Sequence, residues 1–289
     1  MRIAVGFKVT PDYEALRASD WARAAAGVVD TRYVRRVLDT FDESALELAL
    51  RLRDARAAQG RETALAAFSV AGREADPFLK TLQALGFERA ARMDASGAAA
   101  ATGAGDEGDP GAGDGLDFAP SATAQVIAAC ARELGADVLL LGCRSGPGDD
   151  GTIPFFAAEM LGHPCVTQVT AIEPAGEDGL RVTFVADDGP VRATVRTPCV
   201  LAVGNAIVSH LRVPTLNDRL AAREAAIAGL QPADLDVDVV AAVGREPVVL
   251  TCLAPVDRSR AGVIARGATP AAKARALYEE HLRARLARL

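Results

Sequence analysis

Aromatic side chains are scarce in this sequence, at 4% with a single tryptophan, so its core has to be assembled largely from Ala, Leu and Val. Cysteine is also sparse and scattered. The five, Cys130, Cys143, Cys165, Cys199 and Cys252, form no CxxC pair and no compact metal-ligand spacing. That pattern argues against a metal centre and a disulfide framework, and leaves small buried thiols as the reading. The histidines, His163, His210 and His281, are too dispersed to suggest a zinc site. No uninterrupted apolar run approaches the ~20 residues of a membrane-crossing helix. An excess of positive charge is missing too: a formal net charge of −6 disfavours a general electrostatic embrace of nucleic acid or an anionic membrane. Met1 leads straight into Arg2-Ile3-Ala4-Val5, which reads as a structural strand and not a secretory leader, so a cytoplasmic location is expected.

The chain also lacks the short motifs of several enzyme classes. There is no GxxxxGK[ST] after a strand and no GxGxxG at the first strand-to-helix turn, which disfavours a P-loop ATPase and a dinucleotide fingerprint. Ser69 occupies no GxSxG elbow, and no sequence pattern links His163 and Asp137 as parts of a triad. The acid pairs Asp149-Asp150 and Asp187-Asp188 do not by themselves establish acid–base catalysis. A non-catalytic role is therefore expected.

What is present is an alternation of strands and helices. Ile3 to Phe7 fits a buried first strand ending at Lys8. Thr40 and Glu43 have the spacing of a capping box, and Leu46, Ala49 and Leu50 continue with helical spacing over about Asp42 to Asp54. Glu43 and Glu47 sit at the favourable end of that helix dipole. A strand over Leu65 to Val70 and a helix over Asp76 to Leu85 follow, an order that argues for parallel pairing in an α/β fold. Between Asp94 and Pro120 repeated Gly, Ala and Asp read as a flexible insertion. Ser121 is placed to cap a helix bearing Val126, Ile127, Cys130 and Leu134, and Val138 to Leu141 is the clearest buried strand. Short strands follow at 166–170, 181–184, 191–195 and 199–203, with Asp187-Asp188 in a hairpin turn. The segment from Ala271 to Leu289 is a basic amphipathic stretch, read either as a partner-packing arm or as a solvated helix.

The loop from Cys143 to Thr152 is the best ligand candidate. It lies between a buried strand and a helix starting near Pro154, where α/β sheets hold ligands. Gly146, Gly148 and Gly151 permit close backbone approach, Thr152 offers a hydroxyl, and the helix start favours negative charge. Asp149 and Asp150 instead repel phosphate and suit ribose hydroxyls, a cap or water. Local chemistry alone leaves a ligand loop and a structural loop open.

Taken in order, several segments resemble the beta subunit of electron-transfer flavoproteins, the family that includes FixA proteins. They are Ile3 to Phe7 with Lys8, Asp39-Thr40-Phe41-Asp42-Glu43 leading into Ala45 to Leu52, Asp137 to Gly142 with its loop, Gly162-His163-Pro164, Leu211 to Leu216, and Asp257 to Gly262. The resemblance spans roughly residues 1–267 apart from the Gly/Asp-rich insertion. It implies a three-layer adenine nucleotide alpha hydrolase-like fold with a predominantly parallel sheet and a C-terminal partner-binding extension. The implied domains are 1–210, interrupted by the 94–120 insertion, and 211–289. It further implies a heterodimer with an alpha subunit that holds FAD, relaying electrons from a dehydrogenase donor to a redox acceptor or quinone pathway. AMP is implied in the beta chain, with a second FAD or an empty site as alternatives. Carried over by position, the nucleotide contacts are Gly6, Asp39, Thr40, Phe41, Asp42, Val70, Asp149, Asp150, Gly151, Thr152 and Ile153, and Leu216 is the docking residue. The chain departs from the family at Asp39-Thr40, where Asn-Pro is usual, at Thr152, nearest the usual glutamine, and at Pro154 in place of a glycine. An adenine-nucleotide-binding regulatory module without a redox role is the alternative reading.

Overall fold

The computed structural model describes residues 1–95, 116–144, 151–246, 252–255, 262 and 264–287. Most of the Gly/Asp-rich insertion and the middle of the candidate ligand loop, including Asp149 and Asp150, lie outside the described residues. Two compact units are present, Met1–Leu253 and Ala254–Leu289.

The first unit is built on a nine-stranded sheet. Its strands are β1 (Arg2–Gly6), β4 (Ala64–Val70), β5 (Arg89–Met93), β6 (Val138–Gly142), β7 (Cys165–Pro174), β8 (Gly179–Ala186), β9 (Gly189–Arg196), β10 (Cys199–Val203) and β11 (Ala228–Leu230). A separate ribbon pairs β2 (Val9–Pro11) with β3 (Arg36–Leu38) in antiparallel fashion. The sheet runs β11-β5-β4-β1-β6-β10-β7-β8-β9. Pairing is parallel from β11 to β7 and antiparallel at β7–β8 and β8–β9. The short strands after residue 165 thus do two things: β10 joins the parallel centre, and β8 and β9 form an antiparallel edge whose hairpin turns at Asp187-Asp188.

Central strands in such a sheet are covered on both faces, so their residues are apolar without alternation. In β1, Ile3 and Val5 face one side and Ala4 the other, all at 1% exposure or less. The first side is covered by α1 (Thr40–Ala57) and α2 (Asp76–Ala84), through Leu46, Leu50, Leu79 and Leu82. The second is covered by α3 (Pro120–Glu133) and α4 (Ile153–Leu161), and Val239 and Ala242 of α6 (Val239–Gly244) also pack there; α5 (Leu216–Ala221) has no buried residue. Each buried leucine contributes about 1.5–3 kcal/mol relative to exposure. With few aromatics, the second face is packed by closeness: Ala122, Ala124, Ala128, Ala129 and Ala131 of α3 are all buried, and Phe68 fills the sheet side.

Two helix starts differ from the sequence expectation. The cap of α1 is Asp39, in extended conformation, whose carboxylate accepts from the Phe41 N–H at 3.1 Å. Thr40 is already helical, and Glu43 is engaged elsewhere. Likewise α3 is not capped by Ser121. The Glu246 carboxylate, 125 residues on, accepts the Ser121 and Ala122 N–H groups at 3.0 and 3.3 Å. In both cases an anionic oxygen outcompetes a hydroxyl for the positive end of the helix.

The second unit contains α7 (Pro270–Leu277), a π-helical turn (Tyr278–Leu282) and α8 (Arg283–Leu286). Thr269 caps α7 by accepting from Ala272 N–H at 3.2 Å, and none of the unit's described residues is buried.

Candidate functional site

From β1 the chain steps outward to β4 and β5, then returns to the other side of β1 for β6 and β10. This reversal between β1 and β6 opens a crevice at the carboxyl ends of the two strands, where doubly wound sheets hold ligands. The start of α1 reaches that point. Asp42, in its first turn and only 4% exposed, accepts the Lys8 N–H at 2.7 Å with one carboxylate oxygen. Its other oxygen accepts the Gly142 N–H at 2.8 Å. One buried side chain therefore ties the end of β1 to the end of β6.

The surroundings explain why these residue types are needed. A Cβ on Gly142 would lie 2.5 Å from the Asp42 carboxylate and 3.0 Å from Phe41 Cβ, so glycine makes room for the tie. A Cβ on Gly6 would strike Leu141 at 2.7 Å, so Gly6 answers to packing while its backbone ends β1. Ser69, buried beside it, donates its hydroxyl to the Phe7 carbonyl at 2.8 Å. Lys8 pairs with Asp117 at 2.7 Å, joining the crevice to the segment before α3. Burial foremost, then the nearby Asp39 charge, pushes the Asp42 carboxyl up to about 7, against the two main-chain hydrogen bonds and the Lys8 charge.

Most of the expected site residues meet on this edge. Asp39, Thr40, Phe41 and Asp42 supply the start of α1, and Gly6 and Val70 end adjacent strands. Gly151, at φ 70°, comes back over the end of β6, its Cβ direction 3.3 Å from the Cys143 carbonyl. Thr152 and Ile153 begin α4, whose Phe155 and Phe156 N–H groups close onto the Thr152 carbonyl. The sequence reading missed Gly142, Ser69 and Asp117. Gly142 carried a signal, as a glycine ending the most apolar run, while the other two are set by contacts far along the chain.

Leu216 stands apart from this edge, at the first position of α5, and is 72% exposed. A reciprocal box holds that turn: Asp218 N–H donates to Thr215 Oγ1 at 3.2 Å, and Thr215 N–H to the Asp218 carboxylate at 2.8 Å. The Thr-x-x-Asp spacing of this box is legible in the sequence.

Among the described residues no cluster of three or more His, Cys, Asp or Glu could hold a metal ion, and no helix is long and apolar enough to cross a membrane. Cys130, Cys143 and Cys199 are buried, and burial pushes the Cys130 and Cys199 thiols up to about 12, which leaves them unreactive. Among the described residues, this strand edge is lined largely by backbone and groups no cluster of metal-ligating side chains.

The strand-end edge and the exposed turn at Leu216 do not by themselves define a function, and comparison with known proteins fixes the class. The model of the electron transfer flavoprotein domain matches residues 113–235, from before α3 through β11. YgcR of Escherichia coli strain K12, provisionally named an electron transfer flavoprotein subunit, is 31% identical over 292 residues, covering 99% of each chain. The chain belongs to the electron transfer flavoprotein family. Within it the chain is a divergent beta-like member. Electron transfer flavoprotein beta subunits of Mycobacterium tuberculosis strain H37Rv and Bacillus subtilis strain 168 are 26% and 25% identical. The alignments cover 70% and 83% of this chain and 69% and 84% of those subunits.

Proposed function

We propose that the chain works as the beta-type subunit of a heterodimer whose alpha subunit carries FAD, relaying electrons from a dehydrogenase to a redox acceptor or quinone pathway. AMP is the ligand we assign to the crevice between β1 and β6. The observation that carries this reading is similarity over 99% of the chain to a relative named as an electron transfer flavoprotein subunit, combined with a switch point at which no metal-ligating cluster stands among the described residues.

The residues present suit an adenine nucleotide. Gly151 has the positive φ that lets backbone approach closely, and Ile153 would offer its N–H at the positive end of α4 to a phosphate oxygen, since Pro154 has none and the Phe155 and Phe156 N–H groups are bonded to the Thr152 carbonyl. Asp39, Thr40 and Phe41 at the start of α1, with Gly6 and Val70 at the strand ends, would flank the nucleoside, and Asp149 and Asp150 are assigned to its ribose side. Asp42 would act from behind, holding the strand ends at a fixed separation. FAD, when bound in the heterodimer, supplies the redox chemistry through its isoalloxazine. Leu216 would meet the redox partner.

The test is reconstitution with the FAD-carrying alpha subunit, followed by acid release and quantification of nucleotides. One FAD and one AMP per heterodimer is the expected result; two FAD or no AMP would revise the crevice's ligand alone. A complex with neither flavin nor adenine nucleotide would sink the assignment, and a flavin-free monomer holding AMP or ATP would point to a regulatory module.

A further inference from the structure

The connection from β10 to β11 has to cross the sheet, because β11 lies at the far edge beside β5. It crosses over α1 and α2 and is fastened at two places. Upstream, Leu211 N–H donates to Glu43 at 3.1 Å and Arg212 N–H to Glu47 at 3.1 Å. The Arg212 guanidinium grips the Glu47 carboxylate through Nη2 at 3.0 Å and Nε at 3.1 Å, and reaches Asp54 through Nη1 at 2.7 Å. Downstream, Lys80 donates to the Arg223 carbonyl at 3.1 Å and to the Ala225 carbonyl, and Gln83 to the Ala226 carbonyl at 2.7 Å.

Between the fastenings stands α5, with no buried residue and with Leu216 and Leu220 at 72% and 58% exposure, and Val213 just before it is 80% exposed. A six-residue helix without a packed face has little stability of its own. Its orientation therefore depends on the fastenings, together with buried Pro214 just before it and α2 alongside it. The upstream one is the stronger, since Glu47 is 3% exposed and takes a planar fork from Arg212 as well as Arg51 Nε at 3.0 Å. Burial opposes the Glu47 charge, yet these hydrogen bonds hold its carboxyl below the usual range.

We infer that Arg212 is a positioning residue: its grip on Glu47 and Asp54 fixes the direction in which Leu216 is offered to the redox partner. The inference rests on the docking role proposed for Leu216. The experiment uses the full chain in its FAD-containing heterodimer, with a flavin-linked dehydrogenase that reduces the wild-type complex as electron donor. Arg212→Ala is expected to raise amide exchange over 211–222 about tenfold without raising it in α2. It should raise KM for the donor about tenfold, with kcat at saturating donor within about twofold of wild type. Glu47→Gln should follow it, and Arg212→Lys, which keeps charge but loses the fork, should fall between. Reduction by dithionite, which needs no docking, should be equal in all. Unchanged exchange in Arg212→Ala overturns the inference, and so does a raised kcat effect without a KM effect. If Leu216→Ala raises KM while Arg212→Ala does not, the positioning role alone fails. If Leu216→Ala leaves KM unchanged, the docking role fails and the inference falls with it.

Discussion

Replacing Asp42 by asparagine should change how stability depends on pH, in a direction opposite to that of a common salt-bridged carboxylate. The Asp42 pKa is raised from 3.8 to about 7 in the folded chain, so the folded state holds this proton more tightly than the unfolded one. The stability it contributes is complete below about pH 4 and is lost as pH rises through about 7. A shift of about three units corresponds to about 4 kcal/mol, of which about 3 kcal/mol falls between pH 5 and pH 8. Asparagine has no such titration. It also presents an amide nitrogen, which cannot accept, to one of the two N–H groups from Lys8 or Gly142, whereas both oxygens of the carboxyl accept whether it is ionised or neutral, and this costs about 1–3 kcal/mol. Asp42→Asn should thus be the less stable protein at pH 5 and equal or exceed wild type at pH 8. Urea unfolding of both at half-unit intervals measures the difference, and other titrating groups cancel between the two curves. A stability gap that stays flat from pH 5 to 8 refutes the claim that burial governs this carboxyl. A gap moving the other way would show that the two main-chain hydrogen bonds and Lys8 outweigh desolvation.

The other expectations are simpler to read. Gly142→Ala places a methyl 2.5 Å from the Asp42 carboxylate and should cost about 1–3 kcal/mol in urea unfolding, with weakened AMP binding by calorimetry. Glu246→Ala removes the acceptor for the Ser121 and Ala122 N–H groups and should lower stability by about 1 kcal/mol, seen as earlier amide exchange at the start of α3. Leu140→Ala, at a position with 0% exposure in β6, should cost about 2–5 kcal/mol by the same unfolding assay. In the native protein Cys252 should react with a thiol reagent first and partly exposed Cys165 slowly, while Cys130, Cys143 and Cys199 wait for unfolding; fast modification of all five would contradict the packing.

Elements whose cause is local were legible in the sequence. The apolar runs expected at Ile3–Phe7 and Val138–Leu141 fall on β1 (Arg2–Gly6) and β6 (Val138–Gly142), because a doubly covered sheet demands unbroken apolarity, and the Asp187-Asp188 turn follows from the flanking alternation. The gathering of Asp39 to Asp42 with Gly151 to Ile153 was reached through family resemblance, since nothing local tells that β6 pairs beside β1. The helix caps were misread for a related reason. Thr40 and Ser121 have the right spacing, but Asp39 and distant Glu246 are better acceptors, and Glu246 reaches its site only after folding. Glu43 and Glu47 read as helix-dipole charges from sequence, whereas they hold Leu211 and Arg212, about 165 residues away.

Those two glutamates point to what α1 does as a whole. Of the seven buried polar or charged residues among those described, four lie on this helix: Asp42, Ser44, Glu47 and Arg56. Burying such groups is costly unless each finds a partner. Ser44 bonds back to the Thr40 carbonyl, but the other three reach to separate parts of the molecule. Asp42 holds the ends of β1 and β6, and Glu47 holds the crossing strap. Arg56 donates to Thr63 before β4 and to the Glu177 carbonyl in the β7–β8 turn. A helix kept only for its apolar face would have no use for these groups. Their placement makes α1 a shared support, and we predict that a change in how its first turn holds Lys8 and Gly142 alters the hold on the segment from Leu211 to Leu216. A double-mutant cycle between Asp42→Asn and Arg212→Ala measures that coupling directly. Additive effects on exchange over 211–222 would mean that the crevice and the docking turn are supported independently.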